Sequence, residues 1–309
     1  MLRTNAIALC ICVLLLEACT PPETVTSSGP GSELLKSETA TAYLLRHYTE
    51  TRLDTVSWPP EELTRTIDVS FDVTGSMYER SVVHQDRLLN LALYDLRLLE
   101  EFLTGDLNPQ PGDIVRVRLF GANYRGSGAE ARDERVWQLP SANLVLQVHV
   151  TTRPPKRVII NVREVRRPDS SAQSSVVDSV IQWLRNRIES GSRREYLRSP
   201  LLEHIRRVAT QYEGGSETSP VRLVFVTDGL VELENLKLTP ERFVEDTTLA
   251  RAVMTRAQEL NLLPTALDTL RFSVTVIGLF DGGSAAFGRA QRRFFSELFR
   301  SQSVRIFPY

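Results

Sequence analysis

Asp72, Thr74 and Ser76 stand at alternate positions in the stretch FDVTGSM, where the apolar alternation of Ile67, Val69, Phe71 and Val73 runs out. One carboxylate and two hydroxyls at a strand tip can turn toward a common point. All three offer oxygen, the donor that a hard cation such as Mg²⁺ or Mn²⁺ prefers. A second oxygen-rich tip follows in VFVTDG, where Asp228 closes a nearly all-apolar run. Brought together, the two tips would place two carboxylates among neutral hydroxyls. A plainer reading of DVTGS is a strand-end turn. In it Thr74 and Ser76 cap the next helix and Gly75 takes a backbone conformation other residues avoid. A third reading makes Asp72 the nucleophile of an aspartyl-phosphate phosphotransferase. That chemistry needs a lysine to neutralise phosphate and a later pair of acids. The three lysines, Lys36, Lys156 and Lys237, do not follow a site-forming strand, and no acid pair follows Asp228 on a strand tip. An aspartic protease needs Asp-Thr-Gly without interruption, and Val73 intervenes.

The elements that must position these residues alternate in type. Strands are expected at 67–73, 113–121, 143–152, 157–165, 221–229 and 271–280, with a last one at VRIF. Helices are expected at 81–103, 176–189, 201–212, 241–260 and 285–300. This order implies an α/β fold of three layers, with a central, mostly parallel sheet flanked by helices. Ligands of such sheets bind at the carboxyl ends of strands where strand order reverses. The strands near 143–165, joined by RPPK, read as an inserted β-hairpin at about 136–165. Its basic flanks, Arg153, Lys156, Arg157, Arg163, Arg166 and Arg167, offer a metal-independent docking surface as an alternative to the strand tips.

The chain has 309 residues, 42% of them hydrophobic, enough for one good-sized domain, or for one domain plus a small extra element. A formal net charge of −1 gives no reason to expect a nucleic-acid partner. The only cysteines are Cys10, Cys12 and Cys19, so a disulfide framework, a cysteine-ligated zinc site and a cysteine nucleophile are excluded from everything after them. His47, His84, His149 and His204 lack a partner at ligand spacing and read as surface or packing residues. Asp281, in FDGG, reads as a turn residue.

The amino terminus MLRTNAIALCICVLLLEACT resembles a bacterial lipoprotein signal. Arg3 supplies a positive start, and residues 7–16 an apolar run too short to span a membrane. LEAC then stands as the lipobox. This implies a signal peptide at 1–18 and a lipid on Cys19, followed by Thr20, which implies an outer-membrane protein facing the periplasm. Residues 20–63 are expected to be a Pro/Ser/Gly-rich tether and a helical segment. The domain proper is expected over 64–309.

Over that span the chain resembles the von Willebrand factor A domain. The family's metal-ion-dependent adhesion site runs Asp-x-Ser/Thr-x-Ser, then a mid-chain Thr, then an Asp after the fourth strand. Asp72, Thr74 and Ser76 match its first part and Asp228 its last. Ser199, in RSPLLEHIRRVA, takes the middle place, with Ser190 and Ser192 as rivals. The resemblance implies a Mg²⁺ or Mn²⁺ ion bound directly by hydroxyls, with Asp72 and Asp228 acting largely through waters. Held mainly by neutral ligands, the ion stays electron-poor and captures an Asp or Glu carboxylate of a protein partner. No bond is broken, so the expected protein is not an enzyme. It is a lipid-anchored binding protein of the bacterial envelope.

Overall fold

The structure is a computed structural model that describes residues 24–35, 38–47, 52–121, 134–150, 157–166, 171–190, 200–212, 220–233, 236–238, 247–260, 272–279, 285–299 and 304–307. In chain order these form β1 (Thr24–Ser28), α1 (Glu38–His47), β2 (Arg52–Trp58), β3 (Thr66–Asp72), α2 (Gly75–Glu79), β4 (Ser81–His84), β5 (Arg87–Asn90) and α3 (Leu91–Glu101). Then follow β6 (Ile114–Phe120), β7 (Glu134–Gln138), β8 (Ala142–Val150), β9 (Arg157–Arg166), α4 (Ser171–Ser190), α5 (Leu201–Gln211) and β10 (Val221–Val226). The chain closes with β11 (Val231–Leu233), β12 (Leu236–Leu238), α6 (Thr247–Glu259), β13 (Phe272–Ile277), α7 (Ala285–Phe299) and β14 (Val304–Phe307).

Two units share these elements. The smaller comprises Met1–Trp58 and Ala142–Arg167, the larger Pro59–Ser141 and Pro168–Tyr309.

The smaller unit is a four-stranded sheet in the order β1-β9-β8-β2. β1 runs parallel to β9, and β2 antiparallel to β8. Alternation sets its buried side: Leu144, Leu146 and Val148 of β8 and Val158, Ile160 and Val162 of β9 are buried, with Leu44 of α1 and Trp58. This corrects the expected organisation twice. Residues 24–28 and 52–58, expected within a tether and a helical segment, are strands. The hairpin expected at about 136–165 is the centre of this sheet, and residues 134–138 belong instead to the larger unit as β7. The PPETVTSSGPGS composition misleads because a ladder is closed by backbone groups, which polar side chains leave free to pair.

The larger unit is a six-stranded sheet in the order β14-β13-β10-β3-β6-β7. β14 through β6 pair in parallel, and β7 closes one edge antiparallel to β6. One face packs Ile67, Val69, Phe71, Val115, Val117, Val224 and Val226 against Leu96 and Leu99 of α3 and Val180, Ile181 and Leu184 of α4. The other packs Phe120, Leu223, Phe225, Val274 and Val276 against α5 and α7, through residues such as Ile205, Val208, Phe294 and Phe295. This is the three-layer α/β architecture with a mostly parallel central sheet.

The expected helix at 81–103 is divided. Gln85 and Asp86 have φ of 47° and 60°, which makes a tight two-residue turn between β4 and β5. A helix cannot contain two such residues. Asn90 then starts α3, its side-chain oxygen accepting the Leu93 N–H at 2.9 Å.

β13 is followed by Gly278, at φ +88°, where an added Cβ would overlap the Asp95 carboxylate of α3. Gly278→Ala therefore meets both backbone strain and a close contact. It is expected to destabilise the fold by at least about 2 kcal/mol, read as a lower urea midpoint.

Candidate metal centre

Strand order reverses between β3 and β10. From β3 the chain passes to β6 on one side, while β10, β13 and β14 build outward on the other. At that reversal two strands end side by side, and their loops diverge to leave a crevice. Asp72 is the last residue of β3. Thr227 and Asp228 directly follow β10, which pairs with β3 in register from Val221↔Thr66 to Val226↔Phe71.

Asp72 is fully buried. Its Oδ1 accepts the Thr74 N–H at 2.9 Å, and its Oδ2 accepts the Thr227 hydroxyl at 2.8 Å across the strand boundary. Thr74 is buried too, and its Oγ1 lies 3.2 Å from Ser76 Oγ. Thr74 is the residue before α2, yet its side chain makes no capping bond, and Gly75 is an ordinary first helical residue with no positive φ. The strand-end turn of the simpler reading would spend these hydroxyls on helix capping. Instead Thr74 turns its own toward Ser76.

Asp228 is buried, and its Oδ1 accepts the Leu230 N–H at 3.0 Å. Gly229 makes this tight turn possible with φ +75°, and its N–H reaches Thr227 Oγ1 at 3.1 Å. Among the described residues Asp228 Oδ2 is buried with no hydrogen-bond partner. Leaving a buried acceptor unmet costs about 1–3 kcal/mol, and more if it is charged.

The two carboxylates feel each other. Burial, and then the charge of Asp228, push the Asp72 carboxyl up to about 7. The site therefore has one acid held against ionising, a second with an unmet oxygen, and two hydroxyls in mutual contact. A divalent cation answers each of these features, so the donor set fits one. Among the described residues no three His, Cys, Asp or Glu side chains gather. The cradle's donors are two carboxylates plus hydroxyls.

Ser199, expected as the middle ligand, lies outside the described residues, as do its rival Ser192, the turn residue Asp281 and the lipidation candidate Cys19. Pro200, next to Ser199, is buried, and its carbonyl accepts the His204 N–H at 2.9 Å. Ser190 is exposed at the end of α4 and donates to the Arg187 carbonyl at 3.2 Å.

Beneath the cradle lies a polar layer that the sequence reading did not single out. Asp68, Ser70 and Asp72 share the α5 side of β3, and all three are buried. Asp68 meets Arg118 of β6 in a two-pronged ion pair, Nε–Oδ1 3.1 Å and Nη2–Oδ2 2.8 Å, and accepts the Tyr212 hydroxyl at 2.5 Å. Burial works against the Arg118 charge, but Asp68, with Glu134 and Tyr212, outweighs it and holds the guanidinium above its usual value. Burial and Asp68 likewise raise the Tyr212 hydroxyl. Ser70 Oγ meets His204 Nε2 at 2.8 Å. The available signal was the polar residue at every second position, 68, 70 and 72, of a strand that both neighbours cover, opposite the arginines of DIVRVRLFG.

No family model matches the chain, and no curated protein matches it. Among solved structures, it is similar to an aerotolerance-related membrane protein from Bacteroides fragilis, solved with multiple mutations to serines. That match has 13% identity over 79% of this chain and 92% of that one, with a TM-score of 0.33. It is also similar to the manganese-loaded TRAP protein of Plasmodium vivax, at 10% identity over 79% of this chain and 65% of that one, with a TM-score of 0.30. At such TM-scores the superpositions carry no weight for the site, and the fold rests on the strand order itself. Among the described residues, no helix is long and apolar enough to cross a membrane.

Proposed function

We propose that the larger unit is a von Willebrand factor A-type domain that binds a protein partner through a divalent cation, Mg²⁺ or Mn²⁺, without breaking a bond. The observation that carries this reading is the unmet, buried Oδ2 of Asp228 beside Asp72, whose carboxyl burial and a second acid hold near neutrality. Two such groups at one strand reversal are unfavourable unless something positive completes them.

Thr74 and Ser76 would offer hydroxyl oxygens, and Asp72 and Asp228 would supply charge. The bound cation would supply an electrophilic position for an incoming Asp or Glu carboxylate of the partner. Thr227 holds Asp72 in place by its hydroxyl, and Leu230 holds Asp228 by its backbone N–H. Ser199 remains our candidate for the further hydroxyl. On the same reading Cys19 carries a lipid that places the protein in the bacterial envelope, at the outer membrane facing the periplasm.

Titration calorimetry of the full-length protein with Mg²⁺ and Mn²⁺ is expected to give binding heat that Asp228→Ala removes. The absence of heat in the wild type, or equal heat in the variant, overturns the proposal. Capture of a partner that EDTA releases would extend it. Capture indifferent to EDTA but lost on substitution of the exposed Arg157, Arg163 and Arg166 would instead support docking through the smaller unit.

A further inference from the structure

The floor under Asp72 is made by side chains at which no cation is expected. Phe120 of β6 is the register partner of Asp72, and its ring is covered by His204 from the first turn of α5. The two rings stack with centroids 4.3 Å apart and planes 12° apart. His204 also reaches Ser70, which lies two residues before Asp72 on the same side of β3, with Nε2 2.8 Å from Ser70 Oγ. Its other nitrogen, Nδ1, lies 2.9 Å from Arg207 Nη2. A guanidinium can only donate, so Nδ1 accepts and the proton sits on Nε2. His204 is thus a neutral ring in one tautomer, buried, with its single N–H aimed at Ser70.

The next group down β3, Asp68, is already engaged by Arg118 and Tyr212. The space below Asp72 is therefore filled by a stacked aromatic pair and a directed hydrogen bond. Neither Phe120 nor His204 competes with Thr74 and Thr227 for the Asp72 carboxylate in the bonds described above.

We infer that His204 is a positioning residue for the cation cradle. Through Ser70 it ties α5 to the strand that ends in Asp72, and with Phe120 it shuts water out from beneath that carboxylate. This inference rests on the cation reading above. Groups that orient ligands without touching the metal typically change its affinity 10–100-fold when removed.

The test is Mn²⁺ affinity, read by electron paramagnetic resonance on the full-length protein, with melting temperature in EDTA measured in parallel. His204→Leu and Ser70→Ala are each expected to weaken Mn²⁺ by about tenfold or more. His204→Gln can place an amide N–H where Nε2 stood, and is expected to stay within about threefold of wild type. The His204→Leu/Ser70→Ala double variant is expected to be no weaker than the worse single one, because both remove the same tie. Variants that melt lower in EDTA yet bind Mn²⁺ as wild type does would overturn the inference and leave His204 a packing residue. Ser70→Ala removes one atom and keeps the test available if His204→Leu does not fold. Absence of Mn²⁺ binding by the wild type would sink the cation reading and this inference with it. Wild-type binding with equal affinity in every variant sinks this inference alone.

Discussion

Asp72→Asn is expected to make the metal-free protein more stable at pH 8 while abolishing cation binding. The sign follows from the raised carboxyl. Asp72 titrates near 3.8 in the unfolded chain and at about 7 in the folded one. Between those values the folded protein keeps a proton that the unfolded chain releases. Stability is therefore fully present below about pH 4 and is lost as pH rises toward 7. The gap corresponds to at most about 4 kcal/mol. Asparagine has no charge to lose and keeps an oxygen for the Thr74 N–H or the Thr227 hydroxyl, so its urea midpoint in EDTA should hardly move between pH 5 and 8. Saturating Mg²⁺ should restore the wild type at pH 8, because a cation favours the ionised carboxylate, and should leave the variant unchanged. A wild-type midpoint that rises with pH in EDTA would show that Asp72 ionises freely, and the electrostatic argument for the cradle would fail.

The second large effect lies in the layer below. Arg118→Met strands the Asp68 carboxylate in a site from which water is excluded, with Tyr212 the one side-chain donor left to it among the described residues. Breaking a buried pair from one side typically costs about 3–5 kcal/mol. Glu134, 3.6 Å from Arg118 Nη1, would lose a partner as well, but it is partly exposed and retains Arg116 at 3.2 Å. The double variant Arg118→Met/Asp68→Leu removes both charges and is expected to recover much of the loss. A double-mutant cycle in urea measures the difference. If the single variant lost less than about 1 kcal/mol, the pair would have to be as well solvated as a surface ion pair, contrary to its burial.

Much of this was legible in the chain. Nearly apolar VRLVFV is a central strand because both its faces are covered, and that composition has few other uses. The type and spacing of Asp72, Thr74 and Ser76 marked a strand tip rich in oxygen. The helix at 201–212 was plain from its one-sided pattern, and α5 fills Leu201–Gln211. Local pattern misleads where the backbone turns against it. Residues 81–90 carry apolar side chains at helical spacing, but two positive-φ residues at 85 and 86 fold them into a hairpin. Asn90, a strong helix-starting residue, was the cue that α3 begins at Leu91.

By itself the sequence determined the types of the longer elements from residue 91 onward and the side-chain chemistry at two strand tips, because periodicity and side-chain identity are properties of single segments. Only the tertiary structure decided that β10 lies beside β3, so that Thr227 bonds Asp72 across 155 positions of chain. It also decided that TVTSS joins β9 as a strand, and that Asp68 and Ser70 face Arg118 and His204 rather than water. The physical reason is common to all three. Which strand a strand pairs with, and which face of it is covered, are settled by the closing of long loops around a shared core, a non-local balance that no single segment contains.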